Sequence, residues 1–348
     1  MNDVSNRIAP RGLDDIRIRE YRDEDESEVL RLLDAALGGG PAGSRTSEFF
    51  RWKHLANPFG RSYMALAEAE GRIVGLRAFM RWEFVTAGRR LRAVRAVDTA
   101  THPDFQGKGI FSMLTRRALQ DLTVEADLIF NTPNAKSLPG YLKMGWRIVG
   151  RMPVYVRLRR PIRFAMHVRS LSRVGGTSGT TLEATGLSAS EALALPGVER
   201  LIRTRQAWRG IETARDIEFL RWRYGIAPQL GYRAVVASGG DHITGLAIFR
   251  NRPRGDLIEC TVSEVISEFG DRKTPRRLLT EVSRSSKADH LTCMFPRATT
   301  LSAAARRAGF LRAPEGVTFV VNPLGHRIDP DPLDMSSWSQ SVGDVEVF

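Results

Sequence analysis

The sequence has almost no cysteine: Cys260 and Cys293 are the only two in 348 residues. Two thiols this far apart build neither a disulfide framework nor a thiolate metal cluster. Histidine is scarce as well, six in all, and no His/Cys/Asp/Glu set has ligand spacing, so no metal is expected. No apolar run approaches the about 20 residues a membrane-crossing helix needs. The opening Met1-Asn-Asp-Val-Ser-Asn-Arg7 has no apolar signal core. These absences fit a reduced cytoplasm. Acids fall short of bases, 39 against 52, for a net charge of +13. Most of the excess is arginine scattered along the chain, and no nucleic-acid motif accompanies it. The exception is 157–173, with six arginines and no acid. That stretch reads as a basic helix tying two parts of the chain together, or as a weak contact with an anionic membrane surface.

The composition that remains is globular, 42% hydrophobic and 26% charged, and the length suits two ordinary domains. A short alternating strand near Ile16–Glu20 precedes an amphipathic helix from Asp23 to Leu37, with Val29, Leu32, Leu33 and Leu37 on one face. Ser47–His54 reads as a second helix. Ser62–Ala67, Arg72–Phe84 and Arg89–Thr101 read as a three-strand meander, turned by Glu70-Gly71 and Ala87-Gly88. Then comes Thr99-Ala-Thr-His-Pro-Asp-Phe-Gln-Gly-Lys-Gly-Ile-Phe111: a strand end, a glycine loop, and a helix over Phe111–Thr123. Glycines followed by a helix start offer unpaired N–H groups to an anion, although the same pattern makes a plain tight turn. The loop is neither a P-loop, lacking G-x-x-x-x-G-K-[ST], nor a dinucleotide fingerprint, lacking the third glycine. A strand Leu128–Asn131, a helix Ala135–Met144 and a strand pair Trp146–Leu158, broken near Pro153, follow.

This order, with Gln106, Gly107 and Gly109 in the loop and Asn134, Tyr141, Lys143, Gly145 and Trp146 further on, resembles the GNAT acyltransferases. That family carries a Q/R-x-x-G-x-G/A pyrophosphate loop and an N…Y-x-K-x-G-F pattern. Phe111 departs from it, standing where Gly or Ala is usual. The resemblance covers residues 60–150. It implies an α/β fold with a mixed, mostly antiparallel twisted sheet flanked by helices, and acetyl-CoA as co-substrate.

The second half repeats the first. Glu48-Phe-Phe-Arg-Trp-Lys-His54 returns 170 residues later as Glu218-Phe-Leu-Arg-Trp-Arg-Tyr224, and Pro58 and Gly75-Leu76 return at the same offset as Pro228 and Gly245-Leu246. Tandem domains of one fold follow. The expected division is a lead-in at 1–13, a catalytic domain at 14–160, a basic linker at 161–180, a degenerate copy at 181–325 and a tail at 326–348. The copy has Glu268-Phe-Gly-Asp-Arg-Lys-Thr-Pro275 in place of the glycine loop, so no cofactor is expected on it; instead it would wall one side of the acceptor cleft. Phe49, Trp52, Phe219 and Trp222 recur in both copies and are expected to pack the domains. In the tail, Trp338, Val345, Val347 and Phe348 point to docking.

The resemblance assigns cofactor binding to Thr99, Ala100, Thr101, Gln106, Gly107, Lys108, Gly109, Ile110, Phe111 and Asn134, with the strand end Thr99–Thr101 polarising the thioester carbonyl through its backbone. Tyr141 is the expected acid for the leaving thiolate, since a phenol ordinarily titrates near about 10; packing of a helix face is its other reading. Asn134 caps a helix or meets the cofactor, and His102 is a turn residue. Asp98 is the first candidate base, with Glu83, water and the Phe348 carboxylate beside it, the last because the chain's own C-terminus reaches the active site in Eis-type relatives. Trp82 and Arg81 are candidates for the acceptor cleft. The function implied is transfer of an acetyl group to a primary amine of a small molecule by direct attack. An aminoacyl-tRNA-dependent transferase of the cell-wall peptide type and a non-catalytic acyl-CoA-binding protein are the alternatives.

Overall fold

The computed structural model describes residues 16–38, 45–170, 184–205, 210–325 and 327–345. The expected lead-in, the second half of the linker, Val347 and Phe348 lie outside them. The first half runs β1 (Arg17–Glu20), α1 (Glu26–Leu37), α2 (Ser47–His54), β2 (Tyr63–Ala69), β3 (Arg72–Thr86), β4 (Arg89–Thr101), α3 (Ile110–Leu122), β5 (Leu128–Asn131), α4 (Leu138–Lys143), β6 (Arg147–Met152) and β7 (Val154–Leu158). A basic helix α5 (Pro161–Ser170) leads to β8 (Leu187–Ser188), α6 (Ala189–Ala194), α7 (Val198–Thr204), β9 (Ile211–Thr213) and α8 (Ile217–Leu220). The second half continues with β10 (Arg233–Gly239), β11 (His242–Arg254), β12 (Leu257–Ser267), α9 (Thr274–Ser286), β13 (His290–Met294), α10 (Thr300–Arg307), β14 (Leu311–Arg312) and β15 (Val317–Pro323). A docked tail carries β16 (Trp338–Ser339) and α11 (Val342–Val345).

The local expectations hold closely. In α1, Val29, Leu32 and Leu33 are buried, whereas Leu37 lies exposed at the helix end. Helix α3 buries Ile110, Leu114, Ala118 and Leu122, one residue per turn, against the sheet. It can approach so closely because Gly75 on β3 has no side chain: a Cβ there would stand 2.6 Å from Ile110 Cγ2. Gly245 on β11 is the matching position, with Thr274 and Leu278 of α9 pressed onto it. The repeated glycine is thus a repeated helix-on-sheet contact.

The two sheets have the same plan. Among the described residues the first runs β1-β2-β3-β4-β5-β15-β6, with β9 and β16 added at the far end of β3; the second runs β14-β7-β13-β12-β11-β10-β8. This corrects the expected strand pair at 146–158. Strand β6 stays in the first sheet, beside β15, while β7 crosses to the second and lies between β13 and β14. Reciprocally, β15 comes from the second half and lies between β5 and β6. Each sheet is therefore completed by one strand from the other half, and cuts at 160 and 181 sever both exchanges.

The largest apolar cluster lies between the sheets and draws on both halves. At its centre Trp52 and Trp222 stack, with ring centroids 5.2 Å apart and planes 23° from parallel. Each indole N–H donates to the other's carbonyl, Trp52 Nε1 to Trp222 O at 2.8 Å and Trp222 Nε1 to Trp52 O at 2.9 Å. This reciprocity marks a pseudo-twofold axis. Phe219 extends the stack onto Phe59 and Trp82. Trp82 is therefore core, not acceptor cleft, and its Nε1 donates to Thr213 Oγ1. Arg81 is held by Glu125 and the Arg61 carbonyl on the outer surface. Trp338 packs on Phe84 and Phe319, which docks the tail as expected. Basic α5 is tied to the second half: Arg160 and Arg163 reach the buried Asp289 carboxylate at 3.1 and 3.0 Å.

Replacing Trp52 by Ala removes the stack and leaves the buried Trp222 carbonyl without its indole donor. The expected loss is about 3–5 kcal/mol of unfolding free energy, measured by denaturant titration. A loss under about 1 kcal/mol, the size of an exposed-site change, contradicts the central place of the pair.

Candidate active site

Strands β4 and β5 pair in parallel from Ala93–Leu128 to Arg95–Phe130 and then part. Beyond that point β4 carries a bulge: Arg77 of β3 faces Thr99, but Ala78 faces Val97, so Asp98 is the extra residue. The cleft between the parted strands leads to the loop after β4. Pro103–Phe105 forms a single tight turn, with His102 Nδ1 accepting from the Asp104 N–H. Gly107 and Gly109 then take φ of +77° and +74°, a left-handed region that disfavours other residues, and a Cβ on either would meet no neighbouring atom. The first backbone bond of α3 runs from Met113 N–H to the Gly109 carbonyl. The N–H groups of Gly109, Ile110, Phe111 and Ser112 precede it at the open helix end, without intrahelical acceptors. Lys108 Nζ sits over the Phe105 ring at 4.5 Å.

The centre of the cleft is a residue the sequence reading missed. Arg77 is completely buried, and its guanidinium donates to Thr99 Oγ1 and, at 3.3 Å, to the Tyr141 hydroxyl. It lies over the rings of Phe79, Phe111 and Tyr141 at 4.5, 5.2 and 5.5 Å. Its Nε is buried without a partner among the described residues. Arg77 thus joins three expected site elements: the β4 end at Thr99, the loop and helix start at Phe111, and Tyr141 on α4. The departure at Phe111 also has a physical place, since its ring meets Tyr141 edge-on at 6.5 Å and covers the guanidinium. One arginine in an alternating strand carries no motif, so nothing in the sequence marked it.

Other expected residues fall as follows. Ala100 is buried in β4 beside Thr99 and Thr101. The Gln106 amide reaches the Thr101 carbonyl at 3.5 Å. Asn134 is exposed, and its Oδ1 accepts from the N–H groups of Lys136 and Ser137 at 3.0 Å each, which starts the turn into α4. Helix α4 is consequently shorter than the expected 135–144. Lys143 is exposed. Glu83 pairs with Arg90 and faces Arg92 on β4, roughly 20 Å along the strand from Arg77, so it is not part of this cleft.

Asp98 requires a correction. Its Oδ2 lies 2.7 Å from the buried Lys53 ammonium and 2.9 Å from His54 Nε2. Burial alone would raise its pKa, but Lys53 and His54 hold it well below the carboxylate range. A carboxylate held this way is a poor proton acceptor. Burial also lowers the His54 pKa and keeps the ring neutral, and its Nδ1 is hydrogen-bonded to Ser62 Oγ at 2.9 Å. Asp98 is thus the counter-ion of Lys53 and the anchor of His54. The sequence signal was in the repeat: Lys53 and His54 correspond to Arg223 and Tyr224, and Tyr224 donates to Glu264 at 2.9 Å, three residues before the β12 partner of the strand glycine, just as Asp98 stands in β4.

The tail closes one side. Arg95 on β4 donates to Thr132 Oγ1 at 3.1 Å and to the carbonyls of Asp344 and Val345. The Asp344 carboxylate is itself buried, accepting from Arg215 at 2.6 Å and Thr213 at 2.8 Å. The chain's last described residue is therefore fixed at the parted strands.

The family model for the GNAT acetyltransferase domain matches residues 17–149. Over those residues the chain matches a GNAT acetyltransferase domain. Solved structures extend the likeness of fold to both halves. A GCN5-related N-acetyltransferase from Anabaena variabilis is 13% identical, over 89% of this chain and 73% of that one, with a TM-score of 0.60. A conserved protein of unknown function from Enterococcus faecalis, described as a probable N-acyltransferase, is 14% identical over the same shares, with a TM-score of 0.62. Eis1 from Mycobacterium abscessus is 16% identical, again over 89% and 73%, with a TM-score of 0.55. No curated protein matches the chain in sequence. Among the described residues no group of His, Cys, Asp and Glu forms a metal site, and no helix is long and apolar enough to cross a membrane.

The Asp98–Lys53 pair yields a pH prediction. A carboxylate with a depressed folded pKa contributes stability that is complete above its unfolded value, about 3.9, and is lost as pH falls through the folded value. Asp98→Asn takes the carboxylate counter-ion away from the buried Lys53, at an expected cost of about 3–5 kcal/mol at pH 7, and removes that acid-side loss. Denaturant titrations at pH 7 and pH 3 read both effects; a neutral change at pH 7 contradicts the assignment.

Proposed function

We propose that the chain transfers an acetyl group from acetyl-CoA to a primary amine of a small molecule, through the cleft of its GNAT domain. One observation carries this reading: Arg77 gathers the β4 end, the glycine-opened start of α3 and the Tyr141 phenol around one cleft. The residues present fit the co-substrate. The N–H groups from Gly107 to Phe111 would hold its pyrophosphate at the positive end of α3, with Lys108 beside them and Gln106 shaping the loop. The parted strand Thr99–Thr101 would run beside its pantetheine arm, and Asn134 stands at the turn that closes the other wall. Acetyl-CoA, when bound, supplies the acyl group already activated as a thioester.

Tyr141 Oη holds the proton that the departing sulfur takes up. The Arg77 guanidinium steadies the charge left on that oxygen, a charge-assisted contact in a buried setting. Asp98 opposes the burial that lowers the Lys53 pKa and holds His54 in place beside β4. The second half, lacking the glycine loop, would support the first and bound the acceptor side, with no acetyl-CoA of its own.

The test is acetyl-CoA turnover against a panel of amino sugars, amino acids and aminoglycosides. With the best amine, Tyr141→Phe is expected to lower kcat by about 10²-fold and leave KM for acetyl-CoA nearly unchanged. An unchanged kcat overturns the role of Tyr141. Turnover with none of the amines overturns the acceptor class.

A further inference from the structure

The second half also has a cleft, and it is not filled. Strands β12 and β13 pair in parallel from Glu259–His290 to Val262–Cys293 and then part, as β4 and β5 do. Between the parted ends lies a cavity of about 510 Å³, bounded by Glu264–Ser267, the loop before α9, Phe295–Leu301 and the tail segment Ser339–Ser341. By pseudo-twofold symmetry it is the counterpart of the acyl cleft.

Its phosphate end is shut. Asp271 Oδ1 accepts from the N–H groups of Lys273 and Thr274 at 2.8 and 3.0 Å, so the chain's own carboxylate occupies the helix start. Pro275, in the first turn of α9, has no N–H at all. Two of the N–H groups a phosphate would use are thus claimed and a third is missing.

The interior points to a different chemistry. Gln340 lines the cavity, is 5% exposed, and has neither amide atom hydrogen-bonded among the described residues. A buried primary amide with donor and acceptor both unpaired is costly unless something complementary meets it. The planar partner that satisfies both atoms at once is another amide. Of the part-buried arginines that line the cavity, Arg215 is committed to Glu264 and Asp344 and Arg205 pairs with Glu212. At the mouth Arg272 is exposed, forms no ion pair among the described residues, and heads a net-cationic groove with Lys273, Arg276 and Arg277, whose one acid, Glu281, pairs with Arg284. An anionic end would be drawn there.

We infer that this second cleft binds a short peptide or N-acyl amino acid, its amide against Gln340 and its carboxylate toward Arg272. The site is separate from the acyl cleft and does not depend on the proposed activity. The test uses the full chain and the probe N-acetyl-Ala-Ala, followed by ligand-detected NMR, with its C-terminal methylamide and hexanoate as controls. The probe is expected to bind, its methylamide more weakly and hexanoate not at all. Gln340→Leu is expected to weaken probe binding about tenfold or more while keeping or raising Tm, because it removes an unpaired buried amide. Gly107→Asp with Gly109→Asp, in the first cleft, is expected to leave probe binding unchanged. Equal binding to Gln340→Leu, equal binding of hexanoate, displacement of the probe by acetyl-CoA, or a lower Tm in Gln340→Leu would each overturn the inference.

Discussion

The reciprocal contact of Trp52 and Trp222 locks the two halves of the chain together. Each indole satisfies its N–H on the other's backbone, so the two aromatic helices meet in one register. The interface is isologous in form, the same patch presented by both halves, although one chain makes it. Once that register is set, the ends of the two sheets lie close enough to exchange β7 and β15. Neither sheet is then complete without the other half. The geometry of the first cleft, whose β5 wall is backed by β15, is held by residues nearly two hundred positions away.

Symmetry of framework makes the asymmetry of chemistry readable. Both sheets part their parallel strands, both seat a helix on a strand glycine, and both bury a carboxylate at the same place in the strand, Asp98 and Glu264. The difference lies at the helix start. In the first half two left-handed glycines open it and leave N–H groups unclaimed. In the second, Asp271 and Pro275 close it. A carboxylate in the loop competes for the donors that a phosphate would use at such a helix start.

Much of this was legible in the sequence, for physical reasons. The strands, turns and helices of the first half follow from period-2 and period-3.6 patterns with glycine at the reversals, which are local properties. The recurrence of Glu-Phe-x-Arg-Trp at a constant offset exposed the tandem plan and marked the tryptophans as packing residues. The exchange of β7 and β15 was not legible: alternation says that a segment is a strand, not which sheet receives it. Pro153 indicated a break but not a crossing. Arg77 was invisible, because a buried arginine in a strand is made by its neighbours, Thr99, Phe111 and Tyr141, which come from three separate stretches. Asp98 was visible but misread. Its proximity to the loop suggested a base, and only the positions of Lys53 and His54, some forty residues earlier, show that its charge is already engaged. Glu83 fails for a simpler reason, since it lies on the right strand at the wrong end.

We propose that the two pseudo-symmetric clefts differ in chemistry, with the open start of α3 alone taking an anion. Calorimetric titration of the full chain with acetyl-CoA tests it most directly, because stoichiometry distinguishes the clefts. One molecule bound per chain is expected, abolished in the Gly107→Asp, Gly109→Asp variant, where added carboxylates claim the donors as Asp271 does in the second half. Two molecules per chain, or one that survives the double substitution, would contradict it.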